Sequence, residues 1–393
     1  MKRRVLLTAA AALSLSPAFS QEAAIATLPM PEPAPAAEAA AWYKNINLHG
    51  FAMLGLQSVR QNGESKGSFD IAMARLSVDG DVDAKGAGTF TYKAQMQVNG
   101  NVSSLGGSAR LVDLFATWRK FSCLRVTVGE FSMPFTLEND YHPLDVGFAD
   151  NALPILKFAG YSDRSGKRSS NGRDLGISLD GDALTMADGH ALLHYGLAIM
   201  NGQGINTRDV DGNKTVIGQI WVSPVNGLRI SASGLEGSMA RCGDTTDAKG
   251  NRQECVRSLY QHRYAIGAEW AGKAVTARAE YIHSTGSAFA TSDEGSTRDL
   301  SISPLGDKAD GFYAMVVGTL LKDKIPGRLR IKARCDMYRP SASMASAQST
   351  LQLGVDYWFT PKIGTAVEYS HANDRALATH NYNYYNFQVQ LRF

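Results

Sequence analysis

Apolar and polar residues alternate through the last nine positions of the chain, Tyr385-Asn386-Phe387-Gln388-Val389-Gln390-Leu391-Arg392-Phe393. A strand sends successive side chains to opposite faces, so Tyr385, Phe387, Val389, Leu391 and Phe393 share an apolar face and the residues between them a polar one. Such a strand suits a wall between lipid and water, and equally a half-buried strand of a soluble sandwich. The same alternation, cut by turn chemistry, predicts about sixteen strands: 46–60, 69–83, 88–102, 109–120, 124–135, 173–182, 191–202, 214–224, 228–239, 258–272, 274–287, 308–322, 327–340, 349–361, 363–374 and 382–393. Every second connection is short, as at Phe121-Ser122-Cys123, Val225-Asn226-Gly227, Ala271-Gly272-Lys273 and Pro361-Lys362, while most of the intervening ones are longer and polar. Short periplasmic turns, long external loops and an even strand number are what a bacterial transmembrane barrel requires.

The other end of the chain decides between lipid and sandwich. Lys2, Arg3 and Arg4 precede the apolar run Val5 to Leu15, and Pro17-Ala18-Phe19-Ser20 follows. This is the pattern of a secretory signal peptide over residues 1–20. Its apolar run is too short to span a bilayer, and no later stretch offers eighteen consecutive apolar residues. An exported chain that repeats amphipathic strands to its last residue is expected to be an all-β, antiparallel barrel in the outer membrane of a Gram-negative bacterium, in contact with outer-membrane lipid. The terminal Phe393 is the expected handle for the barrel assembly machinery. Residues 21–41, rich in Ala, Pro and Glu, cannot bury enough apolar surface to fold alone and read as a periplasmic tether, leaving 42–393 for the barrel.

Composition adds little. The chain of 393 residues is 44% hydrophobic with 38 glycines and 13 prolines, compatible with a large β-protein, and its formal charge is +3. The charges of segments 1–20 and 21–41 cancel, so the barrel itself carries the +3. No basic run points to nucleic acid.

Strand alternation also assigns faces. Leu351, Leu353, Val355, Tyr357 and Phe359 should face lipid, as should Phe90, Tyr92, Ala94, Met96 and Val98, which leaves Lys93 and a row of Thr, Gln and Asn inside. A barrel of this width is too large for side chains to fill, so an aqueous channel is expected. In 327–340, Arg328, Arg330, Lys332 and Arg334 occupy alternate positions. On the lipid face each cation would cost about 2–4 kcal/mol at the bilayer midplane, so the set points inward. There it either forms a basic ladder along the pore or pairs with acidic residues of neighbouring strands. Arg229, Arg263 and Arg278 share the inward sets of their strands and extend the basic surface, with Glu269 and Glu280 among them.

The connection after the fifth strand, 136–172, is too long for a hairpin and holds the apolar segments Val146 to Ala149 and Ala152 to Leu156. Packing of these against the barrel interior would fold this third external loop inward and bring Lys157, Arg164, Lys167, Arg168 and Arg173 to the solute path; the alternative is a lid over the surface.

The run Arg125-Val126-Thr127-Val128-Gly129-Glu130-Phe131-Ser132-Met133-Pro134-Phe135-Thr136-Leu137-Glu138 resembles the strand-to-loop motif of the phosphate-selective porin O/P family. Gly172-Arg173-Asp174-Leu175-Gly176 resembles the strand that leaves that loop, and Ala74-Arg75-Leu76-Ser77-Val78-Asp79-Gly80 the second strand. The resemblance implies a sixteen-stranded trimeric anion channel with basic residues along the pore and the third loop folded inside. Two positions depart from the family pattern: Ala72-Met73 stands where characterised phosphate channels carry adjacent arginines, and Ser132 where a basic residue is frequent. The function implied is therefore passive diffusion of small anionic or hydrophilic solutes with anions, phosphate or another small one, preferred; the two departures speak against high-affinity phosphate binding. A non-selective porin and a non-conducting structural or adhesive barrel are the alternatives.

Cys242 and Cys255 fall in one predicted external loop, 241–257, of an oxidising compartment, where a disulfide is expected. No histidine accompanies them at zinc-ligand spacing, and no metal or cofactor is expected. The eight histidines are scattered, and neither a Gly-x-Ser-x-Gly elbow nor a Gly-rich strand-to-helix loop is present, so no enzymatic site is read.

Overall fold

In the computed structural model, residues 46–98, 109–160, 170–246, 249, 252–290, 299–320 and 327–393 are described. The signal peptide 1–20, the tether 21–41 and the loop cations Arg164, Lys167 and Arg168 lie outside the described residues. Sixteen strands follow one another as antiparallel neighbours: β1 (Ile46–Gln61), β2 (Glu64–Asp83), β3 (Thr89–Gln97), β4 (Arg110–Phe121), β5 (Leu124–Ser132), β6 (Arg173–Thr185), β7 (Ala191–Met200), β8 (Thr215–Val222), β9 (Leu228–Thr246), β10 (Arg252–Ala271), β11 (Val275–Thr285), β12 (Lys308–Leu320), β13 (Arg328–Arg339), β14 (Gln348–Thr360), β15 (Ile363–Asp374) and β16 (Asn381–Arg392). Pairing of β1 with β16, from Phe51 opposite Arg392 to Arg60 opposite Asn383, closes the barrel. Closure removes every sheet edge, which lets strands cross a bilayer with no backbone group unpaired.

The faces follow the alternation. On β14, Leu351, Leu353, Val355 and Phe359 are exposed while Gly354, Asp356 and Trp358 are buried; on β3, Phe90 and Met96 are exposed while Gln95 and Gln97 are buried. Exposed apolar side chains thus mark the outer surface, and buried polar ones the inner. Ile331 is 50% exposed beside Lys332 at 2%. That inversion of a soluble core is what a lipid-facing wall around a polar interior demands.

Two external connections differ from expectation. The gap drawn between the first two strands closes to Asn62-Gly63, whose φ values of 55° and 81° make a two-residue hairpin turn with both residues left-handed. The loop drawn at 241–257 is largely strand: β9 runs on to Thr246 and β10 begins at Arg252. In that ribbon Cys242 lies opposite Val256 and Cys255 opposite Gly243. Cross-strand partners share a face and chain neighbours do not, so the two cysteines point to opposite faces. Both thiols are free, as are those of Cys123 and Cys335. The expected disulfide is therefore corrected: it needs a one-residue slip of the hairpin, which would turn every side chain of one of the two strands to the wrong face.

Between β5 and β6 the chain forms a 3-10 turn, Glu138–Asp140, and one short helix, α1 (Leu153–Phe158), with Pro154 in its first turn. Phe135, Phe148, Ile155 and Phe158 from this segment cluster with Met200, Ile217, Ala265, Ile282, Tyr313, Met315 and Tyr338, which belong to the buried face of β7, β8 and β10 to β13. α1 itself touches β11, β12 and β13. A second cluster joins Leu144 to Phe51, Met53 and Trp358 of β1 and β14.

Candidate functional site

Segment 137–153 is tied to the wall by polar contacts as well as by apolar ones. The backbone amides of Leu137, Ala149 and Leu153 donate to Glu280 (2.8 Å), Glu368 (3.0 Å) and Asp336 (3.5 Å), carboxylates of β11, β15 and β13. Tyr141 donates to Glu269 (2.5 Å), accepts from Arg229 (2.6 Å) and stacks its ring on the Arg278 guanidinium at 3.9 Å. Arg392 holds Asp145 at 2.5 Å. Every strand in these contacts belongs to β9–β16.

The opposite wall is left open. Between residues 139–143 and the inner faces of β2 to β6 lies a cleft of about 480 Å³. Arg75, Lys93, Arg125 and Arg173 line it, with Asp113 and Asp180 among them and Asp140 on the loop side. Strand alternation places the wall side chains: Arg75 opposite Gln97, Lys93 opposite Asp79, Arg125 opposite Asp180. Asp113 is shared by Lys93 at 2.8 Å and Arg173 at 3.0 Å, and Arg125 bridges Asp180 at 2.6 Å and Asp182 at 2.8 Å. Arg75 donates to the side-chain carbonyls of Gln95 and Gln97. Asp140 is exposed to the cleft and forms no ion pair within 4 Å among the described residues. A polar cleft with four cations and two carboxylates on its wall and a third carboxylate on the loop can lower the cost of stripping water from a small anion while still admitting neutral solutes.

The β13 row points inward as alternation requires, yet it does not line this cleft. Arg330 grips Asp356 at 2.7 Å, Lys332 binds Glu368 at 2.6 Å and Asp356 at 3.4 Å, and Arg334 meets Asp336 at 3.4 Å. Arg334 also donates to the backbone carbonyls of Asp150 and Asn151. Arg328, exposed at the end of the row, lies 5.9 Å from the Trp358 ring centroid. Of the two readings of this row, acidic pairing rather than an open ladder describes Arg330 and Lys332, held by Asp356 and Glu368 of the two following strands, and Arg334, held by Asp336 of β13 itself, while Arg328 stays exposed. Arg263 and Arg278 are likewise held, the first donating to the Phe158 carbonyl and the second bridging Glu269 at 2.7 Å and Glu138 at 3.5 Å. Lys157 rests 5.8 Å from the Tyr338 ring centroid. Arg229 borders a second cavity of about 380 Å³ that shares Asp140 and Tyr141 with the cleft. Of the described basic residues singled out from the sequence, Lys93 and Arg173 line the cleft. Arg75 and Arg125, which also line it, belong to the motifs that resemble the porin O/P family and are not among the expected site residues. Their alternation with Leu76 and Val126 gives only an inward orientation; the fold is needed to bring them to one cleft.

The profile of phosphate-selective porin O and P matches residues 47–143, the stretch from β1 to the loop side of the cleft. No curated protein matches the chain. Among solved structures, OmpF of Salmonella typhi in complex with daunomycin superposes with a TM-score of 0.61 at 14% identity, covering 89% of this chain and 98% of that one. The trimer form of OmpT of Vibrio cholerae gives 0.57 at 9%, covering 88% and 99%. The outer membrane channel DcaP of Acinetobacter baumannii gives 0.55 at 13%, covering 88% and 97%. At these identities the likeness is one of fold. The chain is a closed sixteen-stranded antiparallel β-barrel of the porin fold, and its residues 47–143 match the family model of phosphate-selective porin O and P.

Proposed function

We propose that this barrel gives passive, anion-preferring diffusion to small hydrophilic solutes, phosphate among them, through the cleft between residues 139–143 and the β2–β6 wall. The observation that carries the reading is the charge of that wall, where Arg75, Lys93, Arg125 and Arg173 face a passage whose other side holds the single carboxylate of Asp140. Apolar packing and amide-to-carboxylate bonds hold the loop against the remaining strands, so the loop narrows the channel without filling it. Cations spaced along a wet wall raise the local concentration of anions and replace part of their hydration shell, which needs no conformational cycle and no energy source.

A weakly selective pore is the second reading, favoured by the pairing of Lys93, Arg173 and Arg125 with carboxylates. Export by segment 1–20, insertion directed by Phe393 and assembly as a homotrimer belong to the same proposal; the recorded trimer form of the OmpT relative in fold supports the last. Purified protein in a planar bilayer under a potassium chloride gradient tests it. The proposal expects ohmic openings with a reversal potential of the sign for chloride over potassium. A zero reversal potential supports the weakly selective pore, and absence of openings removes the channel reading.

A further inference from the structure

We infer that Lys332 and Arg334 of β13, together with Glu368 and Asp336, are a lock that positions the constriction loop, and that they contribute little to ion choice. The inference rests on the channel reading and assigns to this basic row a task other than lining the pore. Lys332, Arg334, Asp336 and Glu368 are each at most 5% exposed, so none meets a passing solute. Each acts on the loop instead. Glu368 accepts from the Ala149 amide at 3.0 Å with one oxygen and at 3.3 Å with the other, and Lys332 binds the same carboxylate at 2.6 Å. Asp336 accepts from the Leu153 amide at the start of α1, and Arg334 stands 3.4 Å away.

Arg334 closes the arrangement from the other side, donating 2.8 Å to the Asp150 carbonyl, while Lys332 and Arg334 lie 4.9 and 4.6 Å from the Phe148 ring centroid. Three consecutive elements of the loop, Phe148, Ala149 and Asp150, are thus held by two cations and one carboxylate. A buried carboxylate that accepts loop amides is held in place by its cation, so removing Lys332 takes away the partner that fixes Glu368 against the Ala149 amide. The wall loosens its grip through Glu368, although Lys332 itself donates no hydrogen bond to the loop. Ion choice stays with the cleft, on the far side of residues 139–143.

Two readouts on the same folded barrel separate positioning from pore lining: reversal potential in a salt gradient, and hydrogen exchange of the Ala149 amide. For Lys332→Gln and Glu368→Gln the lock predicts faster Ala149 exchange, by about tenfold or more, and higher, noisier open-channel conductance with the reversal potential unchanged. For Arg125→Gln it predicts the reverse, a reversal potential displaced toward cations with Ala149 exchange unchanged. If Lys332→Gln displaces the reversal potential as far as Arg125→Gln does and leaves Ala149 exchange at the parent rate, the row lines the ion path and the inference is overturned. Should Lys332→Gln fail to assemble, the pair Lys332→Met with Glu368→Leu removes both charges; the lock then still predicts fast Ala149 exchange with unchanged selectivity, and parent-like exchange overturns it. A parent protein that conducts no current would defeat the channel reading instead, while Ala149 exchange in the variants still reports on the lock.

Discussion

Asp140→Asn isolates the charge balance of the cleft, because Asp140 is its one carboxylate on the loop side and takes part in no ion pair among the described residues. A cleft of about 480 Å³ has the volume of a sphere about 5 Å in radius, which sets the distance between the carboxylate and an ion at the centre. At that distance a unit charge acts on an ion with about 0.8 kcal/mol in a bulk-water dielectric, reduced to about 0.4 kcal/mol by screening at 0.15 M salt and about 0.15 kcal/mol at 1 M. Removing the charge therefore favours an anion by about twofold at 0.15 M and disfavours a cation by the same factor. The chloride-to-potassium permeability ratio should rise by about fourfold at 0.15 M and by less than about twofold at 1 M. Reversal potentials at both mean salt concentrations measure this. An unchanged ratio at 0.15 M would refute the placement of Asp140 on the ion path, and an equal change at both concentrations would show that the loop had moved and that screening was irrelevant.

Three further outcomes are expected. Mass mapping of the mature protein after thiol alkylation without reduction should find Cys242 and Cys255 both alkylated; a linked peptide pair would mean that the β9–β10 register is not the one described. Gly129→Ala should abolish or sharply reduce assembled, heat-resistant barrel, since φ there is 133° and an added Cβ would lie 2.1 Å from the Leu114 carbonyl oxygen; parent-like assembly would contradict the β4–β5 pairing. Deletion of residues 151–169 removes α1 with Ile155 and Phe158 from the apolar cluster, so single-channel conductance should rise with the constriction lost, and a deletion variant that assembles and conducts like the parent would contradict the loop's placement.

The strands were legible because lipid and water impose opposite demands on alternate residues, which Tyr385 to Phe393 satisfy throughout and Leu351 to Phe359 satisfy at every position but Trp358, whose ring joins the inner apolar cluster. The Asn62-Gly63 turn was legible too, being the strongest short hairpin signal, yet the polar run Glu64 to Ser68 reads as loop when its partner strand is unknown. At 241–257 charge and two cysteines masked a ribbon whose two strands keep pairing well beyond the apolar belt. The β13 row shows the limit most clearly. Alternation fixes that Arg330, Lys332 and Arg334 point inward, but only the register with β14 and β15 brings Asp356 and Glu368 to them, and only the path of the loop decides which side of the barrel stays open. Arg75, with no second cation beside it in its strand, gave no periodic signal of its own and needed the fold to join it to Lys93, Arg125 and Arg173.

The location of the passage is tested most directly by blocking it. In a background with the four native cysteines changed to serine, Thr117→Cys places a thiol on the cleft wall and Ala265→Cys places one in the apolar cluster beneath the loop. A negatively charged methanethiosulfonate added to an open channel should suppress most of the current through Thr117→Cys and leave Ala265→Cys unaffected. Rapid block of Ala265→Cys with no effect on Thr117→Cys would put the solute path on the other side of the loop and contradict the account.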